Sequence, residues 1–321
     1  MMQILLIGVG AGAAAALLFA SIVSGSPLSL LLAQLAPLPI LIAALGWGHW
    51  VGLVAACTAA AGLGAILGFY LFPAFLIGIG LPAWWLGYLV LLARPTSNGA
   101  AGGLEWYPIG RLVLWSALIG TAVVIVSFAL NFGADKEAFE AGLRNLFERT
   151  IRAQPRGADA LAGPDMQRAI DIGVAAFPPI ATMPATLLNV FNLWLAGRIV
   201  SVSGRLRRPW PDLSAMTLPP FAPALLAATM AGAFLPDMLG ILSLALAGSL
   251  LMAYAILGLA VLHAITRGLA TRALALAATY TAIIMFLGLP ILLMSLLGLA
   301  ESALNIRARL AGKGGPPTLR T

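Results

Sequence analysis

No aspartate, glutamate, lysine or arginine occurs in the first 93 residues, and Arg94 carries the first formal charge. A soluble domain has about a quarter of its residues charged; this chain of 321 has 9%. The charge-free stretch holds four apolar runs, 4–23, 28–45, 49–68 and 71–93, separated by Gly, Ser, Pro and His. Water has no place for that much uncharged surface. A bilayer core does, at about 20 apolar residues per helix.

Other absences narrow the chemistry. Cys57 is the single cysteine, so an intramolecular disulfide and a CxxC redox or zinc site are excluded. The two histidines, His49 and His263, lie far apart, and neither has a carboxylate or cysteine at metal-ligand spacing. No Ser-His-Asp order, HExxH or P-loop occurs in a suitable context. The GVGAG near the N-terminus opens no βαβ unit. The reading is of a non-enzyme with no cofactor and no metal. An enzyme acting on lipid would have only Asp171, Asp237 and His263 at headgroup depth. The N-terminus lacks the basic region of a cleaved leader, so 4–23 reads as a retained first span.

What is present is a succession of spans. A fifth covers 109–131 and a sixth 165–203, with Pro178, Pro179 and Pro184 inside it. The stretch 221–265 fits two spans broken at Pro236-Asp237, and 273–300 is a last one, or a hairpin bent at Gly288–Pro290. The expected fold is all-α, a polytopic membrane helical bundle of about eight to ten segments. It forms one domain over 1–305, with a polar tail, 306–321, read as disordered and cytoplasmic. At 1.5 Å per residue the sixth segment is too long for one upright span. Either its start protrudes or re-enters, or its prolines bend it.

The extramembrane loop 132–170 stands apart, since 135–171 holds seven of the eleven acidic residues. Within it 135–152 has helical period, with Phe139, Leu143, Leu146, Phe147 and Ile151 on one face. Acidic residues open that helix and Arg149 and Arg152 close it, complementing its dipole. It lies on the membrane surface or packs over the ends of the spans. The net charge of +7 reads as basic loops kept in the cytoplasm of a bacterial inner membrane, both termini included, not as nucleic-acid binding.

Two patterns could carry function. Gly8, Gly12, Ala16 and Ala20 recur every four residues, as do Gly48, Gly52, Ala56, Ala60, Gly64 and Gly68. Such rows let another helix approach closely, from this chain or from a membrane partner. Uncharged polar groups inside spans form the second pattern. Gln34, Asn189, Asn192 and Trp194 could orient a small uncharged ligand in a cavity shaped by Pro178, Pro179 and Pro184. Hydrogen bonds between helices would satisfy the same amides.

Two segments resemble a known family. One is LLNVFNLWLAGRIVSVSGRLRRPWPDLSAMTLPPF, from Leu187 to Phe221, and the other LLGLAESALNIRARL, from Leu296 to Leu310. With size and hydropathy they resemble the YybS-like bacterial membrane proteins, a family of unknown function; Asn305 stands where that pattern has an acidic residue. That family is distantly similar to the S components of energy-coupling-factor transporters. The resemblance implies capture of a small molecule and docking of the first helix, through Gly8, Gly12, Ala16 and Ala20, on a membrane coupling subunit.

Overall fold

A computed structural model describes residues 2–96, 103–153, 163–286 and 288–313, with 311–313 described as backbone only. Apart from a two-stranded antiparallel hairpin, β1 (Ala93–Pro95) with β2 (Leu104–Trp106), its regular structure is helical. Among the described residues, seven helical segments are long and apolar enough to cross a membrane: 2–24, 27–47, 49–67, 71–90, 109–132, 164–202 and 237–265. Three shorter apolar helices cover 222–232, 272–286 and 288–304. Large apolar side chains point outward, Phe234 at 91% exposure and Leu130 at 83%. Only lipid accommodates so many at once.

The chain forms two compact units. Unit 1 comprises Met1–Gly133 and Pro184–Pro211. Its helices are α1 (Met2–Ala20), α2 (Pro27–Gln34), α3 (Pro37–Trp47), α4 (His49–Leu67), α5 (Leu71–Phe75), α6 (Leu81–Val90) and α7 (Ile109–Phe132), plus the C-terminal half of α9 (Pro164–Val202). Ser26 caps α2 by accepting from Ser29 N at 3.1 Å, with Pro27 next to it. Pro37 and Pro39 then break the second span at residues 35–36. A π turn, Leu76–Gly80, joins α5 to α6 within the fourth span.

The small-residue rows are occupied by the chain itself. A Cβ on Gly8 would meet Val54 at 2.7 Å, and one on Gly12 would meet the Ala55 carbonyl at 2.6 Å. The buried face of α1 thus lies on Val51–Ala59 of α4. On the other side of α4, Ala44 sits between Gly52 and Gly87, each too close for a side chain (2.6 and 2.8 Å). Gly64 faces Phe72, while Gly48 and Gly68 hold positive φ where α4 begins and ends. Ala56 and Ala60 are buried, and Ala16 and Ala20 are partly buried against the same core.

Unit 2 comprises Ala134–Met183 and Asp212–Thr321. It holds α8 (Lys136–Arg152), the N-terminal half of α9, α10 (Ala222–Gly232), α11 (Asp237–Ile265), α12 (Arg272–Phe286), α13 (Gly288–Leu304) and α14 (Ile306–Lys313). Asp135 caps α8, accepting from Ala138 N at 2.8 Å. Phe139 and Leu143 are buried, and Phe147 meets Phe177 of α9 edge to face at 6.0 Å. The apolar face of α8 is therefore packed on α9. Leu146 on the expected face stays exposed.

Two expectations change. Residues 164–202 make one unbroken helix of 39 residues, with no re-entrant turn. Pro178, Pro179 and Pro184 lack the N–H that would pair with the carbonyls of Val174, Ala175 and Ile180, yet the helix runs on through them. The tail opens with helix α14, where no regular structure was expected from 306, because Arg307 is fixed in a buried ion pair. The rest of that tail, 314–321, lies outside the described residues.

Candidate functional site

In unit 1 the break of the second span creates a demand for a donor. Pro37 has no N–H, and Leu38 N donates to Leu35 O at 3.0 Å, so Gln34 O loses its helical partner. Asn192 supplies one: its Nδ2 donates to Gln34 O and to Leu188 O, both at 3.0 Å. The side chain is 1% exposed, and its Oδ1 finds no donor among the described residues. One turn earlier, Asn189 Nδ2 donates to Ser116 O of α7 at 3.3 Å. Beside Ser116, the Trp115 ring lies 5.6 Å from that of Trp85, and its Nε1 donates to Tyr107 Oη at 3.1 Å. The buried indole N–H groups of Trp84 and Trp85 find no acceptor among the described residues.

The residues expected to share a cavity are distributed otherwise. Asn189 and Asn192 come together with the backbone of Gln34, whose side chain is exposed. Trp194 is 43% exposed and lies against Phe191. Pro184 is exposed, while Pro178 and Pro179 belong to unit 2, where Pro179 backs onto Gly248 of α11.

Unit 2 holds a polar constellation that local sequence reasoning missed. Glu301, at the end of α13, is 7% exposed. Its Oε1 accepts from Arg307 Nε at 2.8 Å and its Oε2 from Arg307 N at 3.0 Å. Arg307 reaches on to Ser214 O at 2.5 Å and Met216 O at 2.9 Å. Asn305 makes the turn between Glu301 and Arg307 with φ of 49°, a conformation asparagine tolerates. Asp212 Oδ1 accepts from Ser214 Oγ at 2.7 Å and from Arg267 at 2.9 Å. The Ser214 hydroxyl, then Arg267, hold the Asp212 carboxyl below the ordinary carboxylate range. The two segments carrying the family resemblance thus meet here, 93 residues apart at Ser214 and Arg307.

Close helix contact completes unit 2. A Cβ on Gly258 of α11 would run into the Met294 carbonyl of α13, and one on Gly298 into the Tyr254 carbonyl. An open cleft of about 450 Å³ lies between α8 and α9, lined by Glu137, Glu140, Arg144, Asp171 and Val174. Arg144 and Asp171 are paired across it. The other ionisable candidates are dispersed: His263 bonds Tyr280 Oη at 2.9 Å, and Asp237 starts α11 with φ of 59°. No group of three or more His, Cys, Asp or Glu residues that could hold a metal occurs among the described residues.

Span-length helices, outward apolar side chains and polar groups bonded between helices define an all-α polytopic membrane protein. More particularly, a family model described as a predicted membrane protein (DUF2232) matches residues 13–302, and the chain belongs to that family. No curated protein and no solved structure matches the chain. The comparisons give no support to the YybS-like or S-component resemblance.

Proposed function

We propose that this is a multi-pass inner-membrane protein whose unit 1 holds a small, weakly polar molecule, as a binding or transport-related subunit. The observation that carries this reading is Asn192 Oδ1, a buried acceptor with no donor among the described residues. A buried amide left half-satisfied is costly, and a ligand carrying an O–H or N–H would complete it. The indoles of Trp84 and Trp85, with no acceptor among the described residues, offer donors to the same class of molecule. No catalytic step is assigned. The basic loops and both termini are read as cytoplasmic by charge retention. Energy for transport would come from another chain or an ion gradient.

Native mass spectrometry of protein extracted from its own membrane tests this. The expected result is a discrete small-molecule adduct on the wild type, lost in a folded Asn192→Leu variant. An adduct that survives Asn192→Leu, or no adduct on the wild type, overturns the reading.

A second reading, an assembly factor without transport, is favoured by the open polar cleft between α8 and α9. Photocrosslinkers placed at Glu137 and Glu140 would then capture a protein partner in native membranes. Absence of any crosslink removes that reading.

A further inference from the structure

Unit 1 contains six arginines and one carboxylate, Glu105, which Arg94 already holds at 2.8 Å. Four of the arginines, Arg198, Arg205, Arg207 and Arg208, fall within eleven residues of sequence. None of the four has an ion-pair partner among the described residues. No carboxylate of their own unit is left for them.

The local sequence fixes where these cations stand. Helix α9 closes in a Schellman turn: Gly204, at φ of 68°, donates from its N–H to Ser201 O at 3.0 Å, and Arg205 N donates to Val200 O at 3.1 Å. Pro209 and Pro211 stiffen the exit. Arg208 is buried and donates to Tyr107 O at 2.9 Å, so it anchors the turn. The other three are exposed. The guanidinium of Arg205 lies over the Trp47 ring, 4.8 Å from its centre, and that of Arg198 over Trp210 at 5.5 Å. A guanidinium stacked on an indole keeps its N–H edge free for a bidentate acceptor.

Depth decides what that acceptor is. Trp47 is the last residue of α3 and Val202 the last of α9, so the cluster begins where two apolar helices end. Tryptophan and arginine at that level meet lipid phosphates. The helix end itself contributes only about half a negative charge, too little for four cations. Retention of basic residues on one side of the membrane would account for the charges but not for their stacking on two indoles.

We propose that Arg198, Arg205 and Arg207, framed by Trp47 and Trp210 and set in place by Arg208, form a binding surface for the headgroup phosphates of anionic phospholipids. The surface is separate from the Asn192 site, and its failure would leave that reading untouched.

The test uses the full chain in micelles containing equal phosphatidylglycerol and phosphatidylcholine, with retained lipid read by native mass spectrometry. Wild type retains phosphatidylglycerol in preference, and less so as salt rises. The triple variant Arg198→Gln/Arg205→Gln/Arg207→Gln loses about a hundredfold in that preference, at roughly fivefold per cation. A folded triple lysine variant, Arg198→Lys/Arg205→Lys/Arg207→Lys, keeps more of it than the glutamine variant but less than the wild type, because the charge remains while the bidentate fork is lost. Equal retention of the two lipids by the wild type would overturn the proposal, as would an unchanged preference in the glutamine variant. Displacement of the lipid by equimolar inorganic phosphate would assign the surface to free anions. An acidic protein held there in place of lipid would likewise refute it.

Discussion

Unit 1 and unit 2 face the same problem, holding apolar helices together where lipid removes the hydrophobic drive between them. Unit 1 answers with many small contacts along α4, none of which dominates, and its one ion pair, Arg94–Glu105, is exposed. Unit 2 concentrates its answer. Gly258 and Gly298 bring α11 and α13 into backbone contact, and Glu301 with Arg307 fastens the end of α13 to residues 214–216. Distributed packing spreads the cost of a change, whereas a focal contact and a buried charge pair fail at single positions.

Glycine substitutions break the comparison most sharply. Gly258→Ala sets a methyl against the Met294 carbonyl, and α11 and α13 can accept it only by moving apart. The expected cost exceeds about 4 kcal/mol, enough to lose unit 2. Gly12→Ala in unit 1 meets the Ala55 carbonyl and the Thr58 side chain, and should cost about 1–3 kcal/mol as α1 shifts on α4. Limited proteolysis of the two variants in detergent reads which unit loosens. Equal and mild effects would abolish the distinction drawn between focal and distributed packing.

Next in size is the buried ion pair. Glu301→Ala strands the Arg307 guanidinium, whose side chain is 16% exposed, at an expected cost of about 3–5 kcal/mol. Replacing both residues with methionine should recover much of that loss, because no uncompensated charge remains. Chemical denaturation of the single and double variants makes the comparison. A double variant no better than the single would mean that Arg307 acts through its carbonyl contacts alone.

Smallest is the effect of acid on Asp212. Its carboxyl titrates below the unfolded value, so the stability it lends is present above that unfolded value and is lost as pH falls through the folded one. Amide exchange at Ser214, which donates to Asp212 Oδ1 at 3.0 Å, should therefore accelerate below the ordinary carboxylate range. Asp212→Asn should remove that acid dependence. Amides of unit 1 away from the Arg94–Glu105 pair serve as the control within the same molecule.

How legible each unit was follows from the same contrast. The rows at Gly8–Ala20 and Gly48–Gly68 repeat every four residues, and a repeat is visible without a partner. Gly258 and Gly298 are single glycines in long apolar helices, and nothing nearby distinguishes them from Gly248 or Gly240. The period of α8 announced its apolar face, but Phe177 and Asp171, which meet it, lie beyond the loop that follows. Asn192 stood out as a buried amide, yet its partner is a backbone carbonyl freed by Pro37, 158 residues away at Gln34. Arg307 and Ser214 each belonged to a segment singled out for family likeness, and only the fold shows that the two segments are one structure.

The unbroken helix α9 has a further consequence. Thirty-nine residues extend about 58 Å, against about 30 Å of hydrocarbon. Even tilted by about 40°, the limit seen for membrane helices, a helix of that length must leave the bilayer. Its charged end, Asp165 to Asp171, is the part whose composition suits water, and α8 is clasped to it through Asp171. The length of α9 beyond one span is thus put to use, as the support to which Arg144 of α8 is tied.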